Sequence, residues 1–276
     1  MNGVTLSWLS LDEAMQQPPR DWLVLDLIPA SGVVALVGEC GIGKSFVALD
    51  LAARLAAGCK RWMGHELKGS SNVVYVSTDA ANYTGQRLRA WLEANDRQSI
   101  GGISFAHCYN PAEQDVFEFI ANVITQMSDS DKVLVIDSLD ALCAQFGDSN
   151  RKDEVVRALA QMDLCVILVD HLDLGVAGFP SIDNVEAYDS IVHTADSVIA
   201  IHQPYQSRSK RCLSVLKTRD ADRNSFQVVN FNMNQIRTGR TDNLGRPEYS
   251  LVPVYCRALG PQRVTRKSRY AQRGQL

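Results

Sequence analysis

Residues 33–46 read Val33-Val34-Ala35-Leu36-Val37-Gly38-Glu39-Cys40-Gly41-Ile42-Gly43-Lys44-Ser45-Phe46. Five aliphatic residues in a row, with no polar alternation, are the pattern of a strand buried on both faces. Gly38, Gly41 and Gly43 then break the strand, and over 44–57 apolar residues return at helical spacing. The order is strand, loop, helix. Within it, residues 38–45 match the phosphate-loop pattern G-x-x-x-x-G-K-[ST] at every fixed position. The glycines let backbone N–H groups turn inward around a phosphate, and the helix that follows presents its positive end to the same anion. ATP is therefore the expected ligand, held by Gly38, Glu39, Cys40, Gly41, Ile42, Gly43, Lys44, Ser45 and Phe46. Lys44 is expected to reach the β- and γ-phosphates, and the Ser45 hydroxyl to ligate Mg2+. A position such as Cys40 tolerates almost any side chain, so no thiol chemistry is assigned to it.

Outward from this unit the pattern repeats. Strands are expected at 72–77, 103–106, 132–136 and 164–169, with helices at 84–94, 112–127 and 148–162 between them. The helix over 112–127 is the clearest, because Val116, Phe119, Ile120, Val123 and Ile124 recur at three- and four-residue steps. Aliphatic strands separated by helices imply a doubly wound, mostly parallel α/β sheet. Further strands are expected at 197–202, 212–216 and 226–231, joined by turn-like segments, so the C-terminal edge of the sheet should be antiparallel. Residues 172–185 hold Gly175, Gly178 and Pro180 without periodicity and read as a long functional loop. Three segments follow: a lead-in over 1–32 wrapped onto the main domain, a core over 33–236, and a polar, basic tail over 237–276.

A magnesium-bound triphosphate needs a carboxylate at the end of a neighbouring buried strand. Asp137, after Val133-Leu134-Val135-Ile136, meets that description. Asp140 is expected at the surface or in a subunit interface. Hydrolysis needs one more group, to take a proton from the attacking water or to orient it. Asp79, after the strand at 72–77, is the candidate, although a turn-initiating aspartate suits the same place. His171 ends another strand, where it can sense the γ-phosphate; a packed strand-end histidine fits that position nearly as well.

Taken together, the phosphate loop, Asp79, Asp137, His171 and Lys217-Thr218-Arg219 resemble the RecA-like ATPase superfamily. Within it they resemble the DnaB-type and plasmid RepA-type hexameric replicative helicases, over roughly residues 20–235. The resemblance implies a RecA-like fold and a homo-oligomer, a ring of six subunits with ATP between neighbours and single-stranded DNA in the central hole. It also implies that Lys217 and Arg219 reach the next subunit's γ-phosphate, where such arginines stabilise the transition state. One departure stands out. The family usually carries Glu where this chain has Asp79, in a stretch that commonly reads Ala-Glu-Asp and here reads Thr78-Asp79-Ala80.

Signals for nucleic acid are uneven. The loop over 172–185 contains Asp173 and Asp183 and no Lys or Arg, whereas Arg208, Lys210 and Arg211, with Tyr205 available for stacking, make 203–211 the better electrostatic candidate. From Arg257 to Leu276 there are six basic residues and no acidic one, a tail that binds phosphates non-specifically or is simply solvated. No helix-turn-helix or zinc module is visible.

Composition excludes other classes. Hydrophobic residues at 46% and charged residues at 21% are ordinary for a globular protein and argue against disorder or a fibrous repeat. No apolar run approaches a membrane span, and the first residues lack a signal-peptide pattern, so a cytoplasmic protein is expected. Seven cysteines without a Cys-x-x-Cys pair fit reduced thiols. The function that follows is an ATP-hydrolysing ring motor on single-stranded DNA. The alternative is a regulatory or adaptor ATPase whose ATP-bound state controls oligomerisation and partner binding.

Overall fold

The structure, a computed structural model, describes residues 8–107, 115–172, 180, 190–204, 209–219, 221, 227–256 and 262–263. A short helix α1 (Leu11–Met15) comes first, and a hairpin of β1 (Trp22–Val24) and β2 (Ile28–Pro29) follows it. Next come β3 (Gly32–Gly38), α2 (Lys44–Ala56), a small hairpin of β4 (Arg61–Trp62) and β5 (His65–Glu66), β6 (Asn72–Ser77), α3 (Ala81–Ala94) and β7 (Ile103–His107). The middle of the chain holds α4 (Val116–Gln126), β8 (Asp131–Asp137), α5 (Leu139–Gln145), α6 (Lys152–Leu159), β9 (Cys165–His171) and α7 (Ser190–Thr194). The last elements are β10 (Ser197–His202), β11 (Lys210–Thr218), β12 (Gln227–Thr241), β13 (Pro247–Tyr255) and β14 (Gln262–Arg263).

One ten-stranded sheet organises these elements, in the order β13-β12-β11-β10-β3-β9-β8-β6-β7, with β14 beside β12. All pairs from β10 through β3, β9, β8 and β6 to β7 are parallel, while β10-β11-β12-β13 are antiparallel. The expected mixed sheet is therefore present, with its antiparallel part at the C-terminal edge. Alternation along each central strand serves two cores, as a sheet covered on both faces requires. Val34 and Leu36 pack with α2, Trp62 and the β1–β2 residues Leu23, Val24 and Ile28. Val33, Ala35 and Val37 pack on the opposite face with α4, α5, α6 and α7. A third, smaller cluster joins Ala53 of α2, Ala90 and Trp91 of α3, and Val252 of β13.

Several expected boundaries move. The helix expected over 148–162 is a turn of 3-10 helix, Ser149–Arg151, followed by α6, which ends at Leu159. The helix expected over 112–127 starts at Val116 behind Asp115, whose carboxylate accepts from Glu118 N at 2.8 Å; residues 112–114 lie outside the described residues. The lead-in divides. Leu23, Val24, Leu27 and Ile28 are buried, but α1 buries nothing, and Trp8, Leu9, Leu11 and Met15 are all exposed. A capping box between Ser10 and Glu13 holds this helix locally.

The largest difference concerns the expected tail. β12 runs past Arg237 to Thr241, and β13 pairs back along it from Tyr255↔Phe231 to Pro247↔Thr241. One face of this hairpin meets α3 and α2 while the other is open to solvent. Its sequence therefore mixes Asn, Gln and Arg with the buried Met233 and Val252 and hides the strand signal. Only residues after Cys256 resemble the expected tail, and most of them lie outside the described residues. Among the described residues no helix is long and apolar enough to cross a membrane.

Candidate active site

Parallel strands in an α/β sheet deliver their loops to one edge, where ligands bind beyond the carboxyl ends. Here that edge collects the segments after β3, β6, β8 and β9, whose last residues lie side by side through the pairs Gly38↔His171, Asp137↔Val169 and Ser77↔Asp137. The loop after β3 is shaped by two glycines. A Cβ at Gly38 would lie 2.4 Å from the carbonyl oxygen of Ile201, so β10 approaches too closely for any side chain. Gly43, at φ 105°, takes the left-handed turn that starts α2 at Lys44. Glu39, Cys40 and Gly41 are exposed, Ile42 is buried, and Gly43, Lys44, Ser45 and Phe46 are half-buried.

Lys44 folds back over the loop, its Nζ donating to Gly38 O and Glu39 O at 2.8 Å each. Burial lowers its pKa, with Cys40 and the carboxylates of Asp170, Asp137 and Asp140 pulling the other way. Ser45 Oγ donates to Asp137 Oδ1 at 3.0 Å, and the buried Tyr75 hydroxyl donates to Asp137 Oδ2 at 2.6 Å. Asp137 is 5% exposed. Burial raises its carboxyl pKa, and the hydrogen bonds from Tyr75 and Ser45 oppose that rise. The result is a hydroxyl and a carboxylate sharing one oxygen-lined corner beside a lysine, a donor set that suits a hard divalent cation next to a phosphate. Ser45 and Asp137, expected as the metal ligands, are thus brought together with Lys44.

Asp79 stands just beyond β6 and is 44% exposed; its carboxylate is 2.7 Å from Arg87 Nη2. The Arg87 guanidinium lies over the Phe46 ring at 5.0 Å from the centroid. Thr78 ties the ends of β6 and β8 together, donating from N and from Oγ1 to Asp137 O and accepting from Ser138 N. His171 is exposed at the end of β9, in register with Gly38, and its backbone N donates to Asp170 Oδ1 at 3.0 Å. Asp170 faces the other side of the sheet, where it pairs closely with Lys152, which also binds Asp140 Oδ1 at 2.8 Å. Asp140 therefore belongs to this ion cluster, with its side chain partly exposed.

Lys217 and Arg219 lie elsewhere. Lys217 pairs with Val198 and follows the level of Val34 and Ala35, at the opposite end of β3 from the phosphate loop. Four residues of strand separate those levels, roughly 13 Å. There Lys217 Nζ donates to Val192 O and His193 O, and Arg219 Nη2 to His193 O and Thr194 O, at the carboxyl end of α7.

Three neighbours of the loop have no motif to announce them. Arg87 and Tyr75 reach it only through the packing of α3 and β6. Arg211, grouped by its charge with the candidate DNA-contacting segment, instead donates from Nε to Ile42 O at 3.0 Å. Its register opposite Phe231 turns it toward the phosphate loop. Of the other candidate nucleic-acid contacts, residues 173–179 and 181–185, Tyr205, Arg208 and the basic run after 263 lie outside the described residues.

A family model described as an AAA domain matches residues 4–173. Among solved structures, the ATPase domain of a DnaB-like helicase is similar with a TM-score of 0.51 at 14% identity, covering 73% of this chain and 81% of that one. At that identity the likeness speaks for the fold, which is RecA-like. No curated protein matches the chain.

Proposed function

The chain belongs to the AAA domain family of P-loop ATPases, and from that premise we propose that it hydrolyses ATP with magnesium as an oligomeric ring motor on single-stranded DNA. The observation that supports hydrolysis best is the Ser45–Asp137 contact of 3.0 Å beside Lys44. Bound Mg2+, held by the Ser45 hydroxyl and by Asp137 or water on it, supplies charge neutralisation at the β- and γ-phosphates. Lys44 exchanges its two carbonyl partners for phosphate oxygens, and the loop's N–H groups hold the rest of the anion. Asp79 orients the attacking water and accepts its proton. His171, level with Gly38, contacts the γ-phosphate end of the nucleotide.

A ring follows from the position of Lys217 and Arg219. At the far end of β3 they cannot serve their own loop, but they are open to a neighbour's nucleotide. The likeness to DnaB-type helicases supports single-stranded DNA as the track. Steady-state turnover with Mg2+, measured with and without single-stranded DNA on samples of recorded oligomeric mass, tests this. Stimulation by DNA of an oligomer is expected, and a DNA-insensitive monomer would refute it.

A second function has one observation in its favour. The Asp79–Arg87 pair occupies the carboxylate expected to handle water. An ATPase held in this state binds ATP and turns it over slowly, as a regulatory switch would.

A further inference from the structure

Asp196 joins three parts of the chain at the end of the sheet remote from the phosphate loop. Its side chain is 15% exposed. Oδ2 accepts Val33 N at 3.0 Å, and Oδ1 lies 2.9 Å from Arg20 Nη2 and 3.5 Å from Arg219 Nη1. Its carbonyl oxygen also accepts Arg219 N at 2.9 Å. The backbone has made room for this carboxylate, since a Cβ at Gly32 would stand 2.4 Å from Oδ2. Side chain and main chain of Arg219 are therefore both fixed by one residue, and the end of α7 steadies the guanidinium from another direction. Arg219 nevertheless keeps 50% of its side-chain surface and borders an open cleft of about 410 Å³ lined by Arg20, Ser31, Thr194 and Asp196.

We infer that Asp196 is a positioning residue for Arg219, holding its guanidinium aimed outward for a neighbouring subunit's nucleotide. The inference rests on the trans role proposed for Arg219. A long exposed arginine loses conformational freedom when it must meet a phosphate, and anchoring it beforehand lowers that cost. Charge is compatible as well. One carboxylate shared by Arg20 and Arg219 leaves the cluster with a net positive charge facing the cleft, so an incoming phosphate is still attracted.

The test uses the full chain under conditions where it oligomerises. Asp196→Asn should lower turnover about 10- to 100-fold with the KM for ATP unchanged, and should add nothing to the loss in Arg219→Ala. Each variant is then mixed with Lys44→Ala subunits, which bring an intact Asp196 and Arg219 but no working phosphate loop. Recovery in both mixtures is the expected result, because the Lys44→Ala neighbour supplies an aimed arginine. Recovery with Arg219→Ala but not with Asp196→Asn overturns the inference and leaves the trans role standing. Recovery in neither overturns the trans role and the inference with it. Should Asp196→Asn fail to fold, Asp196→Glu keeps the charge and displaces it by a methylene. It should show the same loss and recovery, and full turnover in that variant counts against the inference.

Discussion

The carboxylate of Asp79 lies 2.7 Å from the guanidinium of Arg87, and that guanidinium in turn covers the ring of Phe46. The residue next to the metal-binding serine is thereby linked through a cation to the carboxylate best placed to manage water. Helix α3 sets this geometry, because Arg87 lies two turns into it while Thr84, one turn earlier, is buried against Ser77.

Asp79→Asn is expected to lower turnover about 100-fold while leaving nucleotide affinity nearly unchanged. Arg87→Ala should lower turnover about 10-fold, as expected for a group that steadies the carboxylate. Steady-state rates with a fluorescent-nucleotide titration check both, and a rise in turnover on removing Arg87 would mark the pair as a restraint and favour the regulatory switch.

Tyr75 holds the second oxygen of Asp137 at 2.6 Å. Tyr75→Phe keeps the ring in the core but removes the donor, so the carboxylate is less firmly oriented toward the metal. The Mg2+ concentration for half-maximal turnover should rise about 10-fold. A magnesium titration at fixed ATP measures it, and an unchanged midpoint would separate Tyr75 from the metal site.

Arg211 supports the phosphate loop through Ile42 O. Losing one hydrogen bond from a charged donor costs about 2 kcal/mol at most, so Arg211→Ala should weaken ATP binding by about 10-fold. Titrating nucleotide and single-stranded DNA separately distinguishes this from a DNA contact, which would weaken only the second.

His202 carries a pH dependence of stability. It is 6% exposed, bonds through Nε2 to Ser214 Oγ at 2.9 Å, and has its pKa pushed down to about 4 by burial. Above pH 6.5 the imidazole is neutral whether the chain is folded or not. Between about 6.5 and 4 the unfolded chain takes up a proton that the folded chain refuses, so stability present above pH 6.5 is lost as the pH falls, by about 2 kcal/mol at pH 5. Denaturant titrations at pH 7.5 and 5 should show this difference for the native chain, and His202→Leu should reduce the slope while lowering stability at both values.

What can be read from the chain alone follows physical locality. The unit from Val33 to Ser45 announces itself because strand, turn and helix lie within fourteen residues of one another, and the boundaries of β6 and β10 match the expected ones for the same reason. The far part of β12 and the whole of β13 are not legible, since half of their side chains face water and the polar half masks the period. Arg87, Arg211 and Asp196 share a different difficulty. Their charge is visible in sequence, but the direction each one faces depends on packing between segments far apart in the chain. A cluster of basic residues at 208–211 therefore suggests DNA where one of them faces the phosphate loop.

The strands that flank that loop on its open side come late in the chain. Ile201 closes on Gly38, Arg211 reaches Ile42, and the methyl of Met233 would stand 3.3 Å from a Cβ at Gly43. The motif is synthesised within the first fifth of the polypeptide, yet its wall is not available until more than four-fifths has been made. During translation the nascent chain therefore carries the complete signature for many seconds without a finished pocket around it. Fragments ending before Met233 should inherit the motif but not the affinity, so the ability to capture nucleotide reports that the whole sheet has closed.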